Sequence, residues 1–423
     1  MDSFSLKRQV RLKILPIKIR MEQLFENLKK EQHKILRYIL NNDVDKKRGL
    51  GLYTGIPGDI LFLAQCYSTN KDQAILDRIN ELLDYCLENL QSGEYIYPIF
   101  SAGVAGFGWI VDYLIENDII DKDSEEILEL LDPMLFHEMN SLLGHKNHDL
   151  LNGALGIGIY FIKRRKYDYV KVLITYLDDN KIVNNDEVLW EVDKKNPDKR
   201  VVFDFSLSHG AAGILHFLIK CNDLGISKAT CRGLIDGILC FYKNNLQDQE
   251  SIGSYFPNLI DVDSYHLDKK NKVMSRLAWC YGDLGILYTI LNAAEAYEDK
   301  ILEQDILKKL LITSGRVEQE KTLVYDAGFC HGSSGNAFIY HDLFLKTKLP
   351  EFQTATEYWL DRTLSYKKES EEGHPHYVFI GGTNSEELEN CDNLLEGLIG
   401  IGVTYNYVLN PELPRFKDGL MLA

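Results

Sequence analysis

The sequence has no run of about eighteen apolar residues, the length a helix needs to cross a bilayer, so no spanning helix is expected. It also lacks any Cys-x-x-Cys pair. Its eight cysteines stand apart at 66, 86, 221, 231, 240, 280, 330 and 391. Such spacing builds no disulfide framework; it reads as reduced thiols of a cytoplasmic protein, with any special cysteine serving a metal or chemistry. Proline is scarce, and no Pro- or Ser-rich linker divides the chain, which favours one domain over residues 21–423. Basic residues are outnumbered, 47 against 63 acidic ones, for a net charge of −16. That balance excludes general nucleic-acid binding, which needs a basic footprint. Residues 1–20 depart from it locally, with Lys7, Arg8, Arg11, Lys13, Lys18 and Arg20. They lack the apolar core of a signal peptide and read as a basic N-terminal arm, open to contact with a partner or membrane surface.

What the chain does have is a repeat. Gly, two residues, Gly and an apolar stretch recur at Gly55, Gly103, Gly153, Gly210, Gly282, Gly332 and Gly397, with spacings of 48, 50, 57, 72, 50 and 65 residues. One Gly-x-x-Gly means little; seven that each open an apolar run indicate a repeated structural unit. Each run is apolar nearly all round, as in a helix buried on every side. Between copies, segments such as Met21 to Leu40 carry a single apolar stripe, Leu24, Phe25, Leu28, Ile35, Leu36, Ile39 and Leu40, opposite charged residues. Those are amphipathic helices. The predicted fold is therefore all-α: seven helical hairpins, each an outer amphipathic helix followed by an inner buried one. Inner helices this apolar suit a closed, double-walled α/α toroid better than an open solenoid. Polar stretches at 180–207, 248–275 and 368–391 interrupt the pattern and are expected as loop insertions over the ring mouth.

Chemistry sits just before the glycines. Cys280 and Cys330 each precede their first Gly by two residues, and His331 and His209 each precede theirs by one. Equivalent repeat positions reach the same end of a ring, so these side chains converge although far apart in sequence. Cys280, Cys330 and His331 form a Cys2His set with one coordination position open, the pattern of a catalytic zinc site, and thiolate softness favours zinc over magnesium or calcium. Other features read more plainly. Trp279 is a packing residue, His374 and His376 lie on a polar loop, His145 and His148 are surface histidines, and the acidic stretch 116–132 is a solvated helix face.

The combination Trp279-Cys280-Tyr281-Gly282, Cys330-His331-Gly332, Ser208-His209-Gly210 and Asp149 ahead of Gly153 resembles the lanthionine synthetase C-like (LanC) family, from about Gly51 to Tyr405. The resemblance implies an α/α toroid and one zinc ion on Cys280, Cys330 and His331. It implies cyclase activity that adds peptide cysteine thiols to dehydroalanine or dehydrobutyrine, forming thioether rings. His209 and Asp149 match the family's acid–base pair, and Arg276 and Tyr281 match further active-site positions. The implied partners are a dehydrated precursor peptide, with a dehydratase and an ABC transporter in a complex at the inner face of the membrane. Physically, a free thiol is mostly protonated near neutral pH, and zinc supplies the thiolate. Addition then leaves an enolate that needs a proton, which His209 is suited to give, while Arg276 is suited to steady its oxygen. Two other roles fit the same fold: glutathione addition to dehydroamino acids, and a non-catalytic peptide-binding scaffold. A protein prenyltransferase β-subunit, also a zinc toroid, is disfavoured because it uses an Asp, Cys, His ligand set.

Overall fold

The computed structural model describes residues 17–43, 48–93, 96–193, 200–267, 272–369, 375–380 and 391–422. Fourteen long helices alternate between two walls. The outer wall is α1 (Ile17–Asn41), α3 (Gln73–Ser92), α5 (Glu125–Gly144), α7 (Tyr167–Asp179), α9 (Lys228–Asn244), α11 (Lys300–Ser314) and α13 (Pro350–Ser365). The inner wall is α2 (Ile56–Asn70), α4 (Val104–Glu116), α6 (Ala154–Lys163), α8 (Ala211–Asp223), α10 (Asp283–Ala296), α12 (Ser333–Thr347) and α14 (Leu398–Leu409). Each inner helix packs on the next, and α14 packs on α2, so the array closes into the expected α/α toroid. The outer helices bury one stripe, as Ile75, Ile79, Leu82 and Cys86 show on α3, while Ile56 to Cys66 of α2 are buried without a break.

The phase of the hairpins differs from the sequence reading. Tight pairs run inner then outer, α2 with α3 through α12 with α13, except that α5 packs equally on α4 and α6, and the N-terminal α1 packs against the last inner helix, α14. Short connections make antiparallel neighbours. The α2–α3 link is only Lys71 and Asp72, whereas the outer-to-inner connections carry the glycine motifs and all three insertions. The insertions also hold more order than loops. Val192–Asp193, Val201–Asp204 and Leu259–Asp261 form one three-stranded antiparallel sheet, with Phe203 paired to Ile260, so two insertions distant in sequence are a single structure. Ile182–Asn184 and Glu187–Leu189 make a hairpin, and Lys367–Lys368 pairs with His376–Tyr377. Residues 1–16 of the basic arm lie outside the described residues, and α1 already begins at Ile17. Among the described residues no helix is long and apolar enough to cross a membrane.

The first Gly of every motif is the N-cap of its inner helix. The residues two positions earlier are strung together by backbone hydrogen bonds. The N–H of Tyr53 donates to Ser101 O (3.0 Å), Ser101 to Leu151 (3.2 Å), Ser208 to Cys280 (3.4 Å), Cys280 to Cys330 (3.2 Å), Cys330 to Leu395 (2.7 Å) and Leu395 back to Tyr53 (3.0 Å). Only the Leu151–Ser208 step, where the first insertion enters, is not closed this way among the described residues. One position further back, Leu52, Phe100, Leu150, Leu207, Trp279, Phe329 and Leu394 are all buried, so each motif has an apolar anchor below the hydrogen-bonded ring. The C-terminal segment fills the axis beneath. Gly419 O accepts from Tyr53 Oη (2.8 Å), Leu420 O from Trp279 Nε1 (3.0 Å) and Leu422 O from Tyr288 Oη (2.8 Å).

Two expectations are tested directly by this packing. Gly282 adopts φ +92, and a Cβ there would lie 1.8 Å from Arg276 O. Gly282→Ala is expected to cost about 3 kcal/mol or more, whereas Gly93→Ala, at φ +73 with nothing nearby, costs about 1 kcal/mol. Urea unfolding of the two variants checks the difference. Burial also holds His216 down to about 3 and His341 down to about 4, so both stay neutral in the fold. A depressed histidine lets the unfolded chain bind protons first, so stability is full above the unfolded value and falls on acidification. Between about pH 7 and about pH 5 the expected loss is on the order of 2 kcal/mol for each histidine. Urea midpoints at the two pH values measure it, and His341→Gln should remove its share.

Candidate metal centre

The hydrogen-bonded ring brings Cys280 and Cys330 side by side, because the amide of one donates to the carbonyl of the other. His331 follows Cys330 immediately, and the three ligand atoms lie within 4.8 Å of one another. Both thiols are buried, at 5% and 8% exposure, and His331 is half-buried. The imidazole is oriented from outside the cluster. Its Nε2 lies 2.9 Å from Ile380 O and 3.4 Å from Asp326 Oδ2, and Asp326 in turn accepts from Gly328 N and Ile380 N. Nε2 is thus engaged by the surrounding shell, leaving Nδ1 for a metal, the arrangement metal-binding histidines usually show.

Electrostatics inside the cluster suit a cation. Burial pushes the Cys280 thiol up, but hydrogen bonding to Cys330 and His331 and the charges of His331 and Arg276 outweigh it, and the thiol falls well below its ordinary range. Cys330 moves the other way, pushed up by its hydrogen bond to Cys280 and by burial. Burial pulls His331 down, yet Asp326 and Cys280 lift it to about 11. A soft cation bound here would take the place of the cluster's protons. Two sulfurs and one imidazole fit a divalent metal of zinc's softness and leave a tetrahedral position for an exogenous ligand.

Beside the cluster, His209 Nδ1 lies 2.6 Å from Asp149 Oδ2, and Asp149 Oδ1 accepts from Asn152 N (2.7 Å). The pair spans the one open step of the ring, between the third and fourth motifs. His209 N–H donates to Ser206 Oγ (3.1 Å), which sets the backbone of the motif. The His209 and Tyr281 rings are 6.0 Å apart, and Tyr281 Oη donates to Asp204 Oδ2 (3.1 Å). Burial and the Asp204 carboxylate both push the Tyr281 phenol far up, so it stays protonated. Arg276 is half-buried, and its charge reaches both thiols.

Every site residue expected from sequence falls at this end of the ring. Sequence reasoning missed Asp204 and Asp326, which hold Tyr281 and His331; each lies six residues before its Gly, a regularity the repeat register contains. Trp279 is a packing residue as expected, between Tyr53 (5.6 Å) and Phe329 (5.8 Å). His145 is exposed, but His148 is buried because its loop turns inward at Leu150, and desolvation lowers it. His376 is half-buried in a strand, and His374 lies outside the described residues. Along 116–132 most acids are exposed, but Asp132 is buried against Tyr160, Arg164 and Lys166.

A toroid with a Cys2His cluster over its inner-helix N-termini defines a class, and the comparisons give it a family. Residues 46–421 match the lanthionine synthetase C-like protein family, and the chain belongs to it. Among curated relatives it is 24% identical to the nisin biosynthesis protein NisC of Lactococcus lactis subsp. lactis, over 68% of this chain and 72% of that protein. It is 22% identical to the glutathione S-transferase LANCL1 of Danio rerio, over 71% of each. The solved nisin cyclase structure superposes with a TM-score of 0.75 at 18% identity, covering 94% of this chain and 97% of that one, which establishes the shared fold.

Purified protein is expected to hold one metal ion per chain. Cys280→Ala and Cys330→Ala should each bring this close to zero with helicity unchanged by circular dichroism. Because thiols and imidazole must lose protons to bind, metal uptake should weaken as pH falls.

Proposed function

We propose that this protein is a zinc-dependent lanthipeptide cyclase. It adds cysteine thiols of a dehydrated precursor peptide to dehydroalanine or dehydrobutyrine, forming lanthionine and methyllanthionine rings. The observation that carries the reading is the cluster of two buried thiols, Cys280 and Cys330, with half-buried His331, their ligand atoms within 4.8 Å of one another. Family membership and the similarity to the nisin biosynthesis protein support the same substrate class.

Zinc held by Cys280, Cys330 and His331 would lower the pKa of a substrate thiol and so supply a thiolate at neutral pH. The chain's own groups manage the rest. The sulfur bonds to the β-carbon of the dehydro residue, the double bond becomes an enolate, and one proton must reach the α-carbon. His209 delivers that proton, and Asp149, 2.6 Å away, fixes its ring. Arg276 stabilises the enolate oxygen through its positive charge. Tyr281, anchored by Asp204, lies beside His209 with the two rings 6.0 Å apart. The thiol's proton leaves and another arrives at carbon, so mass is unchanged. A dehydratase supplies the substrate, and a transporter complex at the inner membrane face is the expected setting.

The relative named as a glutathione S-transferase favours a second reading, in which glutathione supplies the thiol to the same site. A dehydrated, cysteine-containing peptide separates the two. Loss of peptide thiol without added glutathione supports cyclisation, and mass gain by glutathione supports transfer. In either assay Cys330→Ala should abolish both metal and turnover. His209→Asn should keep the metal and slow the reaction by about two to four orders of magnitude, the usual contribution of a general acid.

A further inference from the structure

Of the side chains the proposed chemistry needs, Arg276 is the one without an anchor of its own. His209 is held by Asp149, Tyr281 by Asp204 and His331 by Asp326 and Ile380. Among the described residues the Arg276 guanidinium has no hydrogen bond and no ion pair. Its place therefore depends on the backbone beneath it, and that backbone is clamped on both sides. Ser275 N–H donates to Ser254 Oγ (2.9 Å), and Leu277 N–H donates to Thr322 O (2.8 Å). Leu277 O accepts from Asn336 Nδ2 (2.9 Å). Ser275 O accepts from Arg316 Nη2 (2.9 Å), which also donates to Lys321 O (2.7 Å). A single guanidinium nitrogen thus joins the segment that carries Arg276 to the segment that receives Leu277.

Arg316 is itself fixed by Asp283. Its Nη1 lies 2.8 Å from Asp283 Oδ2, and the two side chains are 4% and 0% exposed. Asp283 directly follows Gly282, the glycine packed against Arg276 O. Its carboxylate also accepts from the N–H groups of Tyr255 (2.9 Å) and Phe256 (3.0 Å). The pair therefore grips the second insertion at Tyr255, the segment ahead of the metal cluster at Ser275 and the link after α11 at Lys321. A buried ion pair gains little stability over well-packed apolar side chains, because both charges lose their water. What it supplies is direction. A guanidinium is a planar fork whose N–H groups leave at fixed angles, so segments bonded to one Arg–Asp pair do not shift independently.

We propose that Arg316 and Asp283 are positioning residues for Arg276: they hold the Ser275–Leu277 backbone so that the unanchored guanidinium stays beside the metal cluster. The inference rests on the cyclase reading, in which Arg276 steadies the enolate oxygen. Neither residue touches substrate; both act through the arginine.

The test uses the full-length, metal-loaded protein. Arg316→Lys keeps a positive charge against Asp283 and loses the fork, while Asp283→Asn keeps the shape and loses the charge. Hydrogen exchange is read first: the Ser275 and Leu277 amides should lose protection about tenfold in both variants, with the Cys280 and Cys330 amides and the metal content unchanged. With a dehydrated, cysteine-containing peptide, kcat should fall about a hundredfold at unchanged KM, the scale of a roughly 1 Å misplacement. In an Arg276→Ala background the same substitutions should lower kcat no further, because their effect passes through the arginine. If either variant fails to fold, the double change Asp283→Leu with Arg316→Met replaces the pair by apolar side chains, an exchange buried pairs often tolerate, and is read in the same way. Unchanged exchange at Ser275 and Leu277 overturns the proposal whatever the activity does. So does an equal fall in kcat with and without Arg276, the mark of a general structural defect. A wild type that forms no thioether overturns the cyclase reading instead, and the exchange readout still decides whether the pair holds the arginine.

Discussion

The ring of peptide hydrogen bonds two residues ahead of the glycines is the constraint on which the rest depends. It ties the connectors to one another rather than to their own helices. Each bond is worth only about 1 kcal/mol net, but each fixes one connector against the next. That is why Cys280 and Cys330, fifty residues apart, arrive as neighbours. Their backbones are joined directly, so the metal cluster is positioned by main-chain geometry. The step left open, between Leu151 and Ser208, is where the Asp149–His209 pair lies.

Beneath this ring the apolar anchors and the C-terminal segment form a solid floor. Trp279 shows how site and core connect. Its ring packs between Tyr53 and Phe329, its N–H is held by Leu420 O, and the next residue is a candidate ligand. The shell around the cluster follows the same economy of register. Asp326 steadies His331, and Asp204 holds the phenol of Tyr281, each from the start of its own motif. Burial of the two thiols lets a few nearby charges and hydrogen bonds move the cluster's protons strongly.

Much of this was legible in the sequence because it is periodic. Seven glycine pairs, a buried run after each and a striped helix between them specified the helices and their two walls, and favoured a closed ring over an open solenoid without deciding it. The matched offsets of Cys280, Cys330, His331 and His209 specified which side chains meet. The asymmetry between hairpins was not legible, since helix spacing says nothing about which neighbour a helix chooses; connection length does. The pairing of Val201–Asp204 with Leu259–Asp261 was equally hidden, because strands this short carry no pattern that names a partner fifty-odd residues away.

By itself the sequence determined the repeat, its register and the residue types at each register position, since these are local facts of spacing and chemistry. Only the tertiary structure decided what closes the ring and what stands behind the site: α1 on α14, the C-terminal segment in the axis, Ile380 on His331. These are contacts between segments far apart in the chain. They depend on how seven units fit around one axis, a condition that no single unit contains.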